Sequence, residues 1–173
     1  MTKDATYYAR WTANKYNVKF YANGGKGTMK TLSATYGKSV KLTANAFKRT
    51  GYKFAGWAKS KGGAVAYKDR ASVKDLTSVN GKTVALYAVW KPCSYKIKFD
   101  RNGGKGTMKT LSATYDKNVT LTANAFTKAK YKFAGWAKTK NGKVAYKNKA
   151  KVKNLTATNG KTVTLYAVWK KAK

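Results

Sequence analysis

What chemistry this chain can do is bounded first by the side chains it lacks. Its 173 residues include no histidine, no glutamate and a single cysteine, Cys93. General acid–base and nucleophilic catalysis need a histidine, paired carboxylates or a thiol beside a base. Asp69 and Asp75 are the nearest thing to a pair, and they recur further along as Asn148 and Asn154. An acid pair would therefore exist in one half only. Neither an enzyme nor a cofactor is expected, and no usual metal-ligand spacing is present. Cys93 lies between two repeated segments and reads as an exposed thiol rather than an interchain disulfide.

Lysine is where the chain is rich. Thirty-eight Lys and Arg face five acidic residues, for a formal net charge of +33. Solubility of a small domain asks for only about 2 to 8 charges of either sign. Like charges at this density repel one another in the compact state, so the charge implies a use, and an anionic partner is the simplest. The candidate contacts are Lys53, Lys59, Lys61, Lys68 and Lys74, which recur as Lys132, Lys138, Lys140, Lys147 and Lys153, joined by Lys143, Lys149 and Lys151. Only four arginines accompany them. A mobile ammonium suits many loose contacts along a repeating anion, whereas the guanidinium fork suits one shaped pocket. Tyr21, Tyr87 and Tyr166 fall on the outward side of their strands and are the candidates for stacking against a ligand.

These side chains must be held by something, and the chain repeats itself. Tyr16 to Trp90 returns as Tyr95 to Trp169 without a gap, so each copy carries the turns and core of one small domain. The expected organisation is residues 1–15 as the terminal strand of a preceding repeat plus a linker, 16–91 as the first module, 92–94 as a linker and 95–173 as the second module. Tyr8 to Trp11 sits where an earlier copy would end, matching Tyr87 to Trp90, which implies neighbouring repeats in a longer array.

Each copy reads mainly as strands. Val18 and Phe20 alternate with Asn17, Lys19 and Tyr21, giving one apolar and one basic face. Asn23-Gly24-Gly25 predicts a turn, as do the other Asn-Gly pairs. The next strand is expected through Tyr36 and Val40 to Leu42. Thr43 to Lys48 is the one helix-like stretch, with Thr43 as its cap. Tyr52, Phe54 and Trp57, broken by Gly56, predict a bulged strand that turns Trp57 into the core. Val84, Leu86, Ala88 and Trp90 share one side of the last strand. The fold class is α+β, mostly β: two small, mainly antiparallel sheets, each on a short helix.

The order FxxNGGxGxM (Phe20 to Met29), LxxNxF (Leu42 to Phe47), GYxFxGW (Gly51 to Trp57), AYxD (Ala66 to Asp69) and GxTVxLYAxW (Gly81 to Trp90) resembles the Listeria-Bacteroides repeat, also called the internalin B-type B-repeat. The resemblance covers both copies from end to end. It implies a β-grasp-like (ubiquitin-like) module, arranged in tandem in bacterial surface and secreted proteins, with no shared catalytic residues. In the second copy Lys130 replaces the glycine of GYxFxGW, and Asp116 stands where Gly37 follows a tyrosine in the first. The family does not supply a ligand for so basic a member.

Taken together, the residues predict a non-enzymatic extracellular or cell-surface module that binds an acidic polymer such as teichoic acid, an acidic polysaccharide or a glycosaminoglycan. Sequence-independent nucleic-acid binding and a passive stalk are the alternatives. No stretch reaches the ~20 apolar residues of a membrane span, so membrane insertion is not expected, and Met1 to Tyr8 lacks the apolar core of a secretory signal.

Overall fold

The structure is a computed structural model that describes residues 6–172. Residues 1–5 of the expected leading segment lie outside the described residues. From Thr6 to Asn14 no strand forms, and Tyr7, Tyr8 and Trp11 are almost fully exposed.

The chain divides into two compact units, one of residues 1–48 and 54–89, the other of residues 49–53 and 90–173. Their strands are β1 (Lys15–Tyr21), β2 (Leu32–Thr35), β3 (Val40–Lys41), β4 (Tyr52–Ala58), β5 (Ser72–Val73), β6 (Thr83–Pro92), β7 (Ser94–Asp100), β8 (Leu111–Thr114), β9 (Val119–Thr120), β10 (Tyr131–Ala137), β11 (Lys151–Val152) and β12 (Thr162–Lys171). The first four-stranded sheet has the order β2-β1-β6-β4 and the second the matching order β8-β7-β12-β10. Small ribbons, β3 with β5 and β9 with β11, complete each repeat.

Antiparallel pairing predominates, as expected, with one parallel pair in each four-stranded sheet. First and last strands of each repeat lie side by side in parallel, Asn17 opposite Thr83 and Lys96 opposite Thr162, while β2 and β8 run antiparallel to the first strands. Alternation along β1 buries Tyr16, Val18 and Phe20 and leaves Lys15, Lys19 and Tyr21 outside, as the period-two pattern requires. Leu86 and Ala88 of β6 meet them, and Trp57 fills the centre with no exposed surface. Phe20 and Phe54 each approach Trp57 at 4.8 Å between ring centres, and Phe47 at 6.2 Å, tilted or edge-on as aromatic quadrupoles prefer. Phe99, Phe126 and Phe133 surround Trp136 in the same way. The indole N–H of each tryptophan is buried with no nitrogen or oxygen partner, enclosed by these rings.

No helix forms among the described residues, so the helix expected at Thr43 to Lys48 is replaced by an irregular loop. Asn45 is the reason. Its Oδ1 accepts the Phe47 amide at 3.1 Å, its Nδ2 donates to the Phe47 carbonyl at 3.1 Å, and its own amide donates to Asp69 Oδ1 at 2.9 Å. Lys48 then exchanges two backbone hydrogen bonds with Lys26. Local side-chain bonds of this kind offer the backbone an alternative to a helical ladder, and here they prevail. Asn124 repeats the arrangement with Phe126 and Asn148.

Two further expectations change. The strand expected through Tyr36 to Leu42 is interrupted by a turn over residues 36–38, in which Gly37 takes φ 81°. Cys93 is buried, only 4% exposed, because it falls in phase with the inward-facing Tyr95, Ile97 and Phe99. In the second repeat the β10–β12 register shifts between Phe133 and Gly135, the bulge expected of this strand, and Gly56 and Gly135 share φ 146°. The Asn23-Gly24 and Asn102-Gly103 turns also form, all four residues at positive φ, and Asn23 and Asn102 each donate through Nδ2 to a carbonyl of the last strand.

Candidate functional site

All thirteen predicted lysines are exposed. Three of them line one groove. In the first unit a cavity of about 680 Å³ runs between the residue 59–61 turn, the residue 74–77 loop and the outer side of β6, bounded by Lys59, Lys61, Lys74 and Lys82, with Tyr67, Leu76 and Tyr87 among its walls. The second unit has the same groove as two adjoining cavities of about 250 and 370 Å³, lined by Lys138, Lys153 and Lys161 with Tyr146, Leu155 and Tyr166. Lys82 and Lys161 were not singled out from sequence. Each directly follows an Asn-Gly turn and precedes the last strand, a spacing that could have marked them.

The groove wall depends on a glycine. Trp57 and Tyr67 exchange backbone hydrogen bonds of 2.8 and 3.0 Å, which lays the residue 65–67 strip against β4. A Cβ on Gly56 would stand 2.5 Å from both the Tyr67 carbonyl oxygen and Val65 Cγ1, and Gly56 holds φ 146°. Only glycine permits this approach. Tyr67 then faces Lys59, whose ammonium lies 5.6 Å from the ring centre; Lys138 lies 5.7 Å from Tyr146. Cation–π attraction holds one ammonium at the rim of each groove.

The other predicted lysines are distributed elsewhere. Lys140 lines a separate cavity of about 340 Å³ with Lys128, Tyr131 and Trp169. Lys53 and Lys132 lie on β4 and β10, Lys151 on β11, and Lys68, Lys143, Lys147 and Lys149 in loops; none of these seven lines the paired grooves. Of the tyrosines, Tyr21 is 38% exposed and stacks on Tyr87 at 5.0 Å and 17°, while Tyr87 and Tyr166 are half-buried. Tyr131, on β10, is exposed, and its counterpart Tyr52 is half-buried.

The acidic residues have structural duties. Asp75 Oδ1 accepts the Gly37 amide at 2.5 Å, and Asn154 Oδ1 accepts the Asp116 amide at 2.6 Å in the equivalent place. Asp69 and Asn148 accept the amides of Asn45 and Asn124, both at 2.9 Å. The amide oxygen of asparagine replaces the carboxylate oxygen bond for bond. Within the second unit Tyr52 donates to Asp116 Oδ2 at 2.8 Å, and Lys153 lies 3.7 Å from Asp116 Oδ1, the only ion pair among the described residues. Hydrogen bonds from Asn154 and then Tyr52 hold the Asp116 carboxyl below its usual range, and the bond to Asp116 in turn raises the Tyr52 hydroxyl.

Among the described residues no cluster of three or more His, Cys, Asp or Glu could hold a metal, and no helix is long and apolar enough to cross a membrane. The sequence profile of the Listeria-Bacteroides repeat domain matches residues 16–89 and 95–168. The chain belongs to the Listeria-Bacteroides repeat family. Two proteins of Evansella cellulosilytica are similar to nearly all of it. One, named "Putative membrane protein", is 28% identical over 98% of this chain, which spans 23% of that protein; the other, named "Putative Gly-rich membrane protein", is 29% identical over 97%, spanning 18%. The chain thus spans under a quarter of either relative.

Within this Listeria-Bacteroides repeat pair, positions suited to glycine carry cations. Arg70 and Lys149 occupy equivalent sites at φ 56° and 58°, and Lys130, where the first repeat has Gly51, takes φ 63°. L-residues are strained there.

Proposed function

We propose that this chain is a non-enzymatic binding module of a bacterial surface or secreted protein, gripping an extended polyanion such as teichoic acid, an acidic polysaccharide or a glycosaminoglycan through its lysine-rich faces. The observation that carries the reading is the duplicated groove, in which Lys59, Lys74 and Lys82 recur as Lys138, Lys153 and Lys161 around the same tyrosine and leucine. The replacement of Asp69 and Asp75 by asparagines that keep the same hydrogen bonds supports it, since charge changes there while geometry does not. Each repeat contributes a weak site, and tethering raises the effective concentration of the next.

The surface location rests on the family and on the names of the Evansella relatives. The strand order β2-β1-β6-β4 with parallel first and last strands fits the β-grasp-like module expected, though without its helix.

Titration of the purified chain against teichoic acid, polygalacturonate, heparin and duplex DNA over a salt series tests the function. Binding to acidic polysaccharide or teichoic acid that exceeds binding to DNA of equal charge supports the reading. Preference for DNA with a steep log-salt slope overturns it in favour of nucleic acid. No binding at ~150 mM salt leaves a passive spacer.

A further inference from the structure

The two grooves share a tyrosine wall, Tyr87 and Tyr166, but differ in the residue beside it. In the first unit Tyr87, which lines the groove, lies beside Tyr21 across the parallel β1–β6 pair, the rings stacked at 5.0 Å and 17°. Lys19 extends its ammonium to 5.4 Å from the Tyr21 ring. In the second unit the residue beside Tyr166 is Asp100, whose carboxylate accepts the Asn102 amide at 2.8 Å. There the aromatic platform is missing and an acidic group stands in its place. Lys153 is also drawn to Asp116 at 3.7 Å, and among the described residues its counterpart Lys74 has no such ion pair.

From these differences we infer that the repeats are not equivalent: the first carries a sugar-ring subsite on the Tyr21–Tyr87 platform, specific for polymers that place a pyranose beside each anionic group, and the second holds polyanions by charge alone. The inference rests on the polyanion-binding reading of the groove and assigns its ligand class. A pyranose offers an apolar C–H face, which complements the electron-rich face of a tyrosine ring, while Lys59, Lys74 and Lys82 take the carboxylates along the same groove. A ringless polyanion gains the lysines and nothing from the platform. A cross-strand tyrosine pair also steadies its own sheet, so the test needs a readout that stability alone does not move.

Affinities of the full chain for polygalacturonate and for ringless polyphosphate at equal charge concentration provide it, measured for the wild type, Tyr87→Leu, Tyr87→Phe and Tyr166→Leu. Tyr87→Leu is expected to weaken polygalacturonate binding about tenfold and polyphosphate binding less than about twofold, with Tyr87→Phe and Tyr166→Leu within about twofold of wild type for both. Should Tyr87→Leu fail to fold, Tyr21→Leu removes the other half of the platform and is expected to show the same split. Equal losses on both polymers, or equal effects of Tyr87→Leu and Tyr166→Leu, overturn the inference. A larger loss for single-stranded DNA than for polygalacturonate overturns it too, by making the platform a base-stacking site. Failure of the groove reading itself shows differently, as wild-type protein that binds neither polymer.

Discussion

The Tyr52 hydroxyl donates a 2.8 Å hydrogen bond to Asp116, tying residues 49–53 to the rest of the second compact unit. Tyr52 also stands edge-on to Tyr115 at 5.9 Å, Arg49 covers its ring at 3.9 Å, and the Gly51 carbonyl accepts the Cys93 amide at 2.8 Å. Because the folded state lowers the Asp116 carboxyl, its contribution is present above the ordinary carboxylate value, about 4, and fades as pH falls through the lower folded value. The raised Tyr52 hydroxyl works at the other edge: its contribution is present below about pH 10 and is lost as pH climbs through the folded value. In urea melts, Asp116→Ala is expected to unfold earlier than wild type at pH 7, with the gap narrowing below pH ~4. A gap that stays constant with pH would mean that the ionised carboxylate is not what matters.

Lys130 offers a stabilising substitution. At φ 63° it occupies the place of Gly51, so Lys130→Gly relieves strain on the order of 1 kcal/mol, less what glycine's extra freedom in the unfolded chain takes back. A higher denaturation midpoint is expected. An unchanged or lower one would show that the lysine side chain makes compensating contacts.

Gly56→Ala should do the opposite. The new methyl meets the Tyr67 carbonyl oxygen and Val65 at 2.5 Å, so the strip must move or the strand must bend, at a cost of about 1–3 kcal/mol. Amide exchange at Ala66 and Tyr67, whose amides bond to the Trp57 carbonyl at 2.8 and 3.0 Å, is expected to quicken.

For the groove, Lys59→Gln, Lys74→Gln and Lys82→Gln combined should weaken polygalacturonate binding about tenfold and lower the log-salt slope. A control of equal charge, Lys30→Gln, Lys38→Gln and Lys48→Gln, alters exposed lysines that do not line the groove and is expected to lose about threefold or less. Equal losses would reduce the grooves to undifferentiated positive surface.

The sequence was a good guide wherever a local rule decides the outcome. Period-two alternation placed Val18 and Phe20 inside, the Asn-Gly dipeptides gave turns, and the glycine of GYxFxGW marked the bulge, seen at Gly135 beside Trp136. The same alternation carried a signal that was missed, since Cys93 is in phase with Tyr95, Ile97 and Phe99 and is buried with them. The helix at Thr43 to Lys48 was misjudged because composition cannot show that Asn45 will bond to Phe47 and Asp69. Periodicity also says which face of a strand is apolar but not which strand it meets, so the parallel neighbours β1 and β6 were invisible. For the site, exposure of the lysines was legible, whereas their gathering around one groove required loops at 59–61 and 74–77 to converge on β6.

That parallel pairing also sets an order of events during synthesis. Asn17 finds its partner only at Thr83, so a growing chain can form the β1–β2 hairpin early but cannot close its sheet until the final strand of the repeat has emerged. A truncation anywhere before Thr83 leaves the central strand with one open flank, and each repeat is completed only when its own last strand is delivered.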